Sequence, residues 1–531
     1  MNSSPALHKP VNPVRFVTAA SLFDGHDAAI NIIRRLLQSQ GAEVIHLGHN
    51  RSVDEVVAAA IAEDVQGVAI SSYQGGHLEY FKYLVDRLRI EGRGDIKVFG
   101  GGGGVIIPSE IAELEEYGVH KIFSPADGQQ LGLERMINVL VKECDVDLTK
   151  EPIESIDELL LGDVKTLARA ITALELDRLD PSITKELASA ARRHVAPVVG
   201  ITGTGGSGKS SLIDELIRRF RLDQGDKLRI AVLAVDPTKR RSGGALLGDR
   251  IRMNAIDSPQ IFFRSLATRG SASEIPDLIP GVIAACRAAG YDFIILETPG
   301  IGQGDAAITS VADLSLYVMT PEFGAASQLE KIDMLDLADV VAINKFDRHG
   351  ADDALRSVRR QWARNHAAFA TDNEDVPVFG TIAARFNDQG TTALYQHVRD
   401  ALRAKGLVTG DPQLPLATSK FSVSSSPIVP TGRVRYLAEI ADSVRKYHAA
   451  TEEQATSIRR ASEVAGTLEQ LAQRSPSAGS VELSDLAEET ARHVHPESRH
   501  LLEKFSHLKE EFSQDELVTL TAHGEHRTPW S

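Results

Sequence analysis

A glycine-rich loop near the middle of the chain constrains the fold most strongly. The run Gly203-Thr-Gly-Gly-Ser-Gly-Lys209-Ser210-Ser211 matches the pattern G-x-x-x-x-G-K-[ST]. The apolar run 197–201 before it predicts a buried strand, and a helical pattern follows at 212–220. In this context glycines let backbone N–H groups converge on phosphate oxygens at a helix N-terminus. We therefore expect nucleotide contacts from Gly206, Ser207, Gly208, Lys209, Ser210 and Ser211.

Two side chains of this loop carry the expected chemistry. Lys209 reaches the β- and γ-phosphates and is the candidate catalytic residue, while the Ser210 hydroxyl ligates Mg²⁺.

The length and the charge limit the classes of protein to consider. At 531 residues the chain is too long for a single core, so several domains are expected. The formal net charge of −15, without an extended basic tract, argues against nucleic acid as a partner. The apolar runs are strand-sized and residues 1–15 lack a signal peptide, so no membrane is expected. The two cysteines, Cys144 and Cys286, lie far apart, which favours a reducing, cytoplasmic location.

The first part of the chain alternates strands and helices. We expect residues 1–12 to be a disordered leader and residues 13–150 to form a domain of five strand–helix units. The predicted strands are 14–20, 43–47, 67–71, 96–99 and 121–123, and the predicted helices are 28–40, 53–64, 77–90, 109–116 and 130–144. Five such units predict a flavodoxin-like doubly wound α/β domain whose parallel sheet has the strand order 2-1-3-4-5.

Unusual residues gather at the predicted carboxyl ends of strands one, three and four, where such sheets bind ligands. They are Asp24-Gly-His26, Ser71-Ser72 and the five glycines 100–104, which leave a wall without side chains that suits a large flat ligand. His26 is the candidate metal ligand, because a neutral imidazole nitrogen binds transition metals and Asp24 can orient the other nitrogen. A phospho-receiver domain is not supported, because Ser71-Ser72 and Ser124-Pro125 stand where its Asp and Lys belong.

These signatures resemble those of cobalamin-binding domains. Asp24-x-His26, Ser71 and Gly101-Gly102 correspond to the family patterns D-x-H-x-x-G, S-x-L and G-G. The resemblance implies that His26 ligates cobalt in place of the cofactor's own base, and that the nucleotide tail is buried beside Ser71, Gly101 and Gly102. Two positions depart from the family, which has Gly and Leu there, and their bulk is expected to narrow the tail channel; they are Ala29 and Tyr73.

Three acidic residues downstream of the phosphate loop are suited to Mg²⁺. An apolar strand at 228–235 ends at Asp236, and another at 291–296 ends at Glu297. Asp249 lies in the glycine-rich stretch between them. Carboxylate oxygens bind Mg²⁺ directly or through water, so we expect these acids around the ion.

A base-reading motif follows a further predicted strand. Asn344-Lys345-Phe346-Asp347 matches N-K-x-D, in which Asp347, expected to be buried, accepts hydrogen bonds from guanine N1–H and the 2-amino group. Adenine offers neither donor, and a buried carboxylate would then lack partners. The motif therefore predicts GTP rather than ATP.

Residues 197–410 resemble the MeaB/ArgK-type G-protein chaperones of cobalamin enzymes, which have a P-loop α/β fold. Besides the phosphate loop, the matching segments are 234–238, 243–250, 297–303 and 344–347. The resemblance implies that Arg252 reaches the nucleotide. It also implies a group around Mg²⁺ that consists of Ser210, Asp236, Asp249 and Glu297, with the backbones of Val235 and Thr298 beside it.

The remaining segments show helical patterns without chemistry. Residues 151–196 predict a helical linker with helices at 153–175 and 187–194, separated at Asp180-Pro-Ser182. Residues 411–531 begin with a Pro/Ser-rich stretch and continue as a helical module. We expect this module to act as a linker or in dimerisation, packing on the preceding domain or on a partner.

A cobalamin-binding domain followed by a G-protein chaperone domain resembles the N-terminal portion of the fused isobutyryl-CoA mutase family. That implies adenosylcobalamin, GTP and Mg²⁺ as cofactors and substrate, and the radical isomerisation of isobutyryl-CoA to n-butyryl-CoA. The family's (β/α)₈ acyl-CoA-binding barrel has no counterpart here, so we expect a truncated fusion or a partner of a separate mutase subunit. Two alternatives stay open, a stand-alone cobalamin metallochaperone GTPase and a cobalamin-dependent sensor or scaffold.

Overall fold

Two parallel sheets and a separate helical unit make up the chain. The structure is a computed structural model. It describes residues 6–248, 250–269, 275–300, 305–324, 329–330, 332–367, 375–422, 436–474, 480–511, 513, 516–521 and 524–529. The chain divides into two units, Met1–Val423 and Ser424–Ser531. Within the described ranges, no helix is long and apolar enough to cross a bilayer.

The first sheet has the strand order β5-β4-β3-β1-β2-β8, and its strands run parallel. The strands are β1 Arg15–Ser21, β2 Glu43–Arg51, β3 Gly67–Ser71, β4 Lys97–Gly101, β5 Lys121–Phe123 and β8 Ala245–Leu247. The predicted flavodoxin-like order 2-1-3-4-5 is therefore confirmed. The sixth strand was not predicted, because it comes from a glycine-rich stretch far downstream.

Six helices cover this sheet: α1 Asp27–Ser39, α2 Val53–Ala62, α3 His77–Ile90, α4 Pro108–Tyr117, α5 Pro125–Leu131 and α6 Leu133–Glu143. Helix α2 begins with a capping box, in which Ser52 accepts from the Glu55 N–H and Glu55 accepts in return. The single helix predicted at 130–144 is wrong. Gly132, with φ 73°, separates α5 from α6 because a left-handed residue interrupts the helical hydrogen bonds.

The described part of the leader, residues 6–12, lies against helix α6 and Asp145, which follows that helix, and this differs from the disorder expected. The His8 N–H donates to Asn138 Oδ1 at 2.8 Å. The Asp145 carboxylate accepts the N–H groups of Val11 and Asn12, each at 2.8 Å. These polar contacts between distant positions carry no local sequence signal, which is why the pattern suggested a free segment.

The linker between the sheets forms three helices, α7 Asp157–Leu160, α8 Val164–Glu175 and α9 Pro181–Ala191. Asp180 separates the last two as expected, but it also caps α9 by accepting from the Ser182 N–H at 2.7 Å. Helix α9 therefore starts six residues earlier than the predicted position 187, because proline is favourable in a first helical turn.

The second sheet is parallel and has the order β13-β12-β11-β6-β10-β7-β9. Its strands are β6 Val198–Gly203, β7 Ile230–Asp236, β9 Ile261–Ala267, β10 Phe293–Glu297, β11 Leu314–Met319, β12 Val340–Asn344 and β13 Val378–Thr381. The helices are α10 Lys209–Asp223, α11 Ile279–Ala288, α12 Met334–Leu337, α13 Ala351–Asn365 and α14 Gln389–Ala404. Strand β6 is central and buried throughout, as its continuous apolar run predicts. The P-loop α/β fold is confirmed.

The second unit is mainly helical, as predicted. Its helices are α15 Tyr436–Arg474, α16 Ser480–Arg492 and α17 Pro496–Glu511. It also contains an antiparallel hairpin of β14, Glu516–Thr521, and β15, Gly524–Pro529, which the helical reading of this region missed.

Candidate functional site

The loop between β1 and α1 presents His26 to solvent on a buried acid. The Asp24 carboxylate is buried, while 74% of the His26 side chain is exposed. Asp24 Oδ1 accepts from His26 Nδ1 and from the His26 N–H, both at 2.8 Å. Asp24 Oδ2 accepts the Tyr73 N–H at 2.5 Å. Because Nδ1 faces the carboxylate, Nε2 carries the free lone pair and is the ring atom left to bind a ligand.

The hydrogen bonds to Asp24 keep this acid ionised. Burial by itself raises the pKa of a carboxyl group, but the N–H groups of Tyr73 and His26 and the His26 ring more than offset it. The pKa of Asp24 therefore lies below its ordinary value. A fixed anion behind the imidazole orients the ring and increases the basicity of Nε2.

The carboxyl end of β3 provides a buried hydroxyl beside this loop. Ser71 Oγ is buried and has no hydrogen-bond partner within the described part of the chain. The neighbouring Ser72 Oγ, by contrast, accepts from Ser21 Oγ at 2.8 Å. An unpaired buried hydroxyl is unfavourable, so Ser71 fits a site that receives a polar group of a ligand.

The glycine run 100–104, at the end of β4, has two different roles. A Cβ on Gly102 would lie 1.9 Å from the Ser72 carbonyl oxygen, and one on Gly100 would lie 2.4 Å from Phe81 and Ile122. Those two glycines are thus required by the protein's own packing. Gly101 and Gly104 have open space instead, since added Cβ atoms there meet nothing closer than 3.5 Å.

The two departures from the cobalamin signature occupy different surroundings. Tyr73 is half-buried, its ring lies 5.5 Å from the His26 ring, and an added Cβ on Gly103 would be 3.0 Å from its Cε1. Its ring therefore covers part of the glycine run beside His26. Ala29 is half-buried on α1. The narrowing of a tail channel stays a prediction.

Sequence reasoning missed a pair of residues that holds this loop. Phe23 is 84% exposed with φ 64°, and its N–H donates to Asn50 Oδ1 at 2.8 Å. The Asn50 N–H in turn donates to the Asp24 carbonyl oxygen at 3.2 Å. A bulky residue in the left-handed region is strained, and such strain collects at functional sites. Its only sequence signal is the large apolar Phe23 directly before Asp24.

The phosphate loop follows β6 and ends at the first turn of α10. Gly206 and Gly208 have φ 76° and 90°, a conformation that glycine adopts without strain. The hydroxyl of Ser207 is buried without a protein partner among the described residues. Lys209 Nζ donates to the Gly203 carbonyl oxygen at 3.1 Å, which places the ammonium over the loop. These features fit a phosphate group held by backbone N–H groups.

The base-reading motif docks on the phosphate loop. Asn344 Nδ2 donates to the Ser207 carbonyl oxygen at 2.8 Å, and Lys345 Nζ donates to that of Gly206 at 2.7 Å. Asn344 Oδ1 accepts the Ala383 N–H at 3.0 Å. Phe346 is buried. Asp347 is exposed rather than buried as expected, because it lies in a turn that the Arg348 N–H closes by donating to the Lys345 carbonyl oxygen at 3.0 Å.

Two of the acids expected around Mg²⁺, Asp236 and Glu297, are the last residues of the paired strands β7 and β10. Ser210 Oγ donates to Glu297 Oε1 at 3.0 Å. Glu297 pairs with Ala234, so Asp236 lies two residues further along the adjacent strand. Among the backbone positions proposed beside the ion, Val235 is buried in β7, and Thr298 is buried with its Oγ1 donating to Thr202 Oγ1 at 2.8 Å.

Three further residues are predicted from the sequence to reach the nucleotide or its metal ion. Asp249 lies outside the described residues. Ser211 is exposed on α10. Arg252 is exposed on a 3₁₀ turn, Arg250–Arg252, whose Ile251 lies against Gly48 of the first sheet.

Comparison with known protein families supports the assignment of both sheets. The family model for the B12 binding domain matches residues 14–130, and that for the methylmalonyl-CoA mutase-associated GTPase MeaB matches residues 167–411. Fold and sites thus define the class: a B12-binding domain joined to a MeaB-type GTPase domain.

Related proteins match this chain over nearly its whole length. The fused isobutyryl-CoA mutase of Nocardia farcinica is 59% identical over 522 residues, 98% of this chain and 48% of that protein. The fused isobutyryl-CoA mutase of Cupriavidus metallidurans is 56% identical over 519 residues, 98% and 47%. A putative GTPase of Caulobacter vibrioides is 32% identical over 262 residues, 48% and 79%. The chain belongs to the fused isobutyryl-CoA mutase family and spans about half the length of these curated mutases.

Proposed function

We propose that this chain binds adenosylcobalamin through His26, hydrolyses GTP at the phosphate loop, and serves as the cofactor-handling part of an isobutyryl-CoA mutase. The observation that carries the proposal is the exposed His26 ring with Nδ1 held by buried Asp24. When bound, the cofactor supplies a carbon-centred radical by homolysis of its cobalt–carbon bond. The acyl-CoA-binding region, a homodimer and a cytoplasmic location belong to the same proposal.

In this proposal the protein orients the cofactor. His26 Nε2 holds the cobalt, and Asp24 keeps the imidazole in the required tautomer and direction. Ser71 receives a polar atom of the nucleotide tail, Gly101 leaves the wall beside it free of a side chain, and Gly102 lets the backbone approach Ser72 next to it.

The GTPase half supplies charge and positioning for phosphate. Lys209 neutralises the β- and γ-phosphate oxygens, while Ser210, Asp236 and Glu297 offer the hard oxygen ligands that suit Mg²⁺. Asp249 completes this proposed set from the sequence. Binding and hydrolysis of GTP would then gate the loading and protection of the cofactor, as a two-state nucleotide switch.

Absorption spectra of the protein with adenosylcobalamin test the first site. The wild type is expected to show a base-off spectrum with histidine on cobalt, and His26→Ala is expected to lose it. His49→Ala, at an exposed histidine in β2, is the matched control and should behave as wild type. Identical spectra for wild type and His26→Ala would contradict the proposal.

Nucleotide affinities of Asp347→Ala test the second site. A hydrogen bond to a charged group contributes about 1.5–3 kcal/mol, so GTP should bind roughly 10- to 100-fold more weakly while ATP changes little. Asp353→Ala, an exposed acid on α13, is the control. Equal losses for the two nucleotides would count against guanine recognition.

A further inference from the structure

A strand from the GTPase half completes the cobalamin-domain sheet. Ala245–Leu247 (β8) runs parallel to β2, with Glu43 opposite Ala245 and Ile45 opposite Leu247. The Ala245 N–H donates to the Ala42 carbonyl oxygen at 3.2 Å. Ala245 and Leu247 are fully buried and pack in the same apolar cluster as Ile45. The edge of the first sheet is therefore covered by a segment that lies between two candidate Mg²⁺ ligands in sequence, Asp236 and Asp249.

A series of hydrogen bonds also connects the end of β7 to β2 of the cobalamin-binding domain. The Thr268 N–H donates to the Asp236 carbonyl oxygen at 3.0 Å, and the Arg269 N–H donates to Thr238 Oγ1 at 2.8 Å. The Arg269 guanidinium then donates to both carboxylate oxygens of Glu43, at 2.6 and 3.0 Å. Glu43 is buried and is the first residue of β2, so the Asp236 loop and β8 both act on the start of that strand.

The opposite end of β2 holds the His26 loop. Asn50, near the end of the strand, accepts the Phe23 N–H and donates to the Asp24 carbonyl oxygen. β2 has nine residues and is thus roughly 30 Å long. One continuous strand connects the segment beside the phosphate site with the loop that presents the imidazole.

We infer that β8 is the element through which the nucleotide state acts on the cobalamin site. A change in the segment 236–248 on GTP binding or hydrolysis alters the pairing of β8 with β2, and β2 passes the change to Asn50 and the His26 loop. The inference rests on the proposed function, since it requires both sites. Coupling is reciprocal, so cobalamin also alters nucleotide affinity by the same factor, typically about 5- to 150-fold.

A matched pair of glycine substitutions tests the path. A Cβ on Gly244 would lie 2.2 Å from the Gln38 carbonyl oxygen and 2.7 Å from that of Ala42, so Gly244→Ala forces the segment off the first sheet. Gly248→Ala, at the other end of β8, meets only a side-chain atom at 3.7 Å. Adenosylcobalamin affinity is measured with GDP and with a non-hydrolysable GTP analogue. The ratio of the two affinities should fall to about one in Gly244→Ala and stay at the wild-type value in Gly248→Ala.

Hydrogen exchange of the wild type keeps the inference testable if Gly244→Ala does not fold. Amides of residues 43–51 and 245–247 should change protection together between the two nucleotides. Any of three results overturns the inference. Folded Gly244→Ala keeps the wild-type affinity ratio, the amides show the same protection with both nucleotides, or the wild type binds cobalamin and hydrolyses GTP but shows no effect of the nucleotide on cobalamin affinity. Absence of base-off cobalamin binding or of GTP hydrolysis in the wild type instead overturns the proposed function.

Discussion

Two histidines of the first sheet show how surroundings decide the role of one residue type. His26 is exposed with its Nδ1 on a buried carboxylate. His46 is buried in β2, and its Nδ1 lies 3.0 Å from Thr18 Oγ1. Burial, with a smaller contribution from Arg34, lowers the pKa of His46 to about 4. His46 is therefore neutral at pH 7 and structural, whereas His26 can bind a ligand.

The depressed pKa of His46 predicts acid sensitivity. Below pH 6.5 this histidine takes up a proton in the unfolded chain, but in the folded chain it does so only near pH 4. Stability should therefore fall between pH 6.5 and pH 4, by on the order of 3 kcal/mol from this group. Urea unfolding at several pH values measures it. His46→Gln should flatten this slope, and His49→Gln, an exposed residue of the same strand, should not; an unchanged slope in His46→Gln would refute the assignment.

At the scale of elements, the glycine run 100–104 at the end of β4 serves both the packing of the protein and the access of a ligand to the crevice. The sequence predicts a wall without side chains, and Gly101 and Gly104 fit that reading. Gly102 instead lets the end of β4 approach the Ser72 carbonyl oxygen, next to Ser71. The same run thus holds two strand ends together and keeps the crevice open.

Alanine substitutions separate the two uses. Gly102→Ala puts a methyl group 1.9 Å from a carbonyl oxygen that cannot move freely, so a loss of about 1–3 kcal/mol in unfolding free energy is expected. Gly104→Ala meets nothing within 4 Å and should change stability little. Denaturant unfolding of both variants checks this, and equal stabilities would show that β4 adapts without strain.

At the scale of the molecule, a buried ionic network joins the first sheet, the linker and the second sheet. Its members are Arg15, Glu43, Glu63, Glu175, Arg264 and Arg269. Arg264 is almost fully buried, pairs with Glu175 of the linker, and donates to the Ala62 carbonyl oxygen at 3.2 Å. Segments that were predicted as separate domains therefore share one unit, Met1–Val423. The predicted boundaries at 150 and 196 stay predictions.

Removing one member of this network should be far more damaging than removing a surface charge. Arg264→Met leaves Glu175 with less compensation in a buried site, and about 3–5 kcal/mol of stability should be lost. Arg356→Met breaks an exposed pair with Asp353 and should cost at most about 1 kcal/mol. Calorimetric unfolding compares them. A small loss in Arg264→Met would mean that the network contributes little to joining the segments.

Long apolar strands and local motifs made most of the fold predictable. The five strand–helix units specify the parallel order because consecutive crossovers pack on one sheet. β8 could not be predicted, because three residues after a glycine-rich loop form a strand only when β2 is beside them. The same limit applies to Phe23 and Asn50, whose contact joins the loop after β1 to the end of β2.

The sequence by itself determined the chemistry of each local motif: the left-handed glycines of the phosphate loop, and an acid two residues before His26. These depend on neighbours in the chain, so their geometry follows from residue type and spacing. Only the tertiary structure decided that β8 leaves the GTPase sheet for the cobalamin sheet, and that Arg15, Glu175 and Arg264 meet in one buried cluster. The burial of charged residues and the pairing of a strand at a sheet edge arise from contacts between segments that are distant in the chain. The sequence pattern within one segment does not indicate which other segment it will contact.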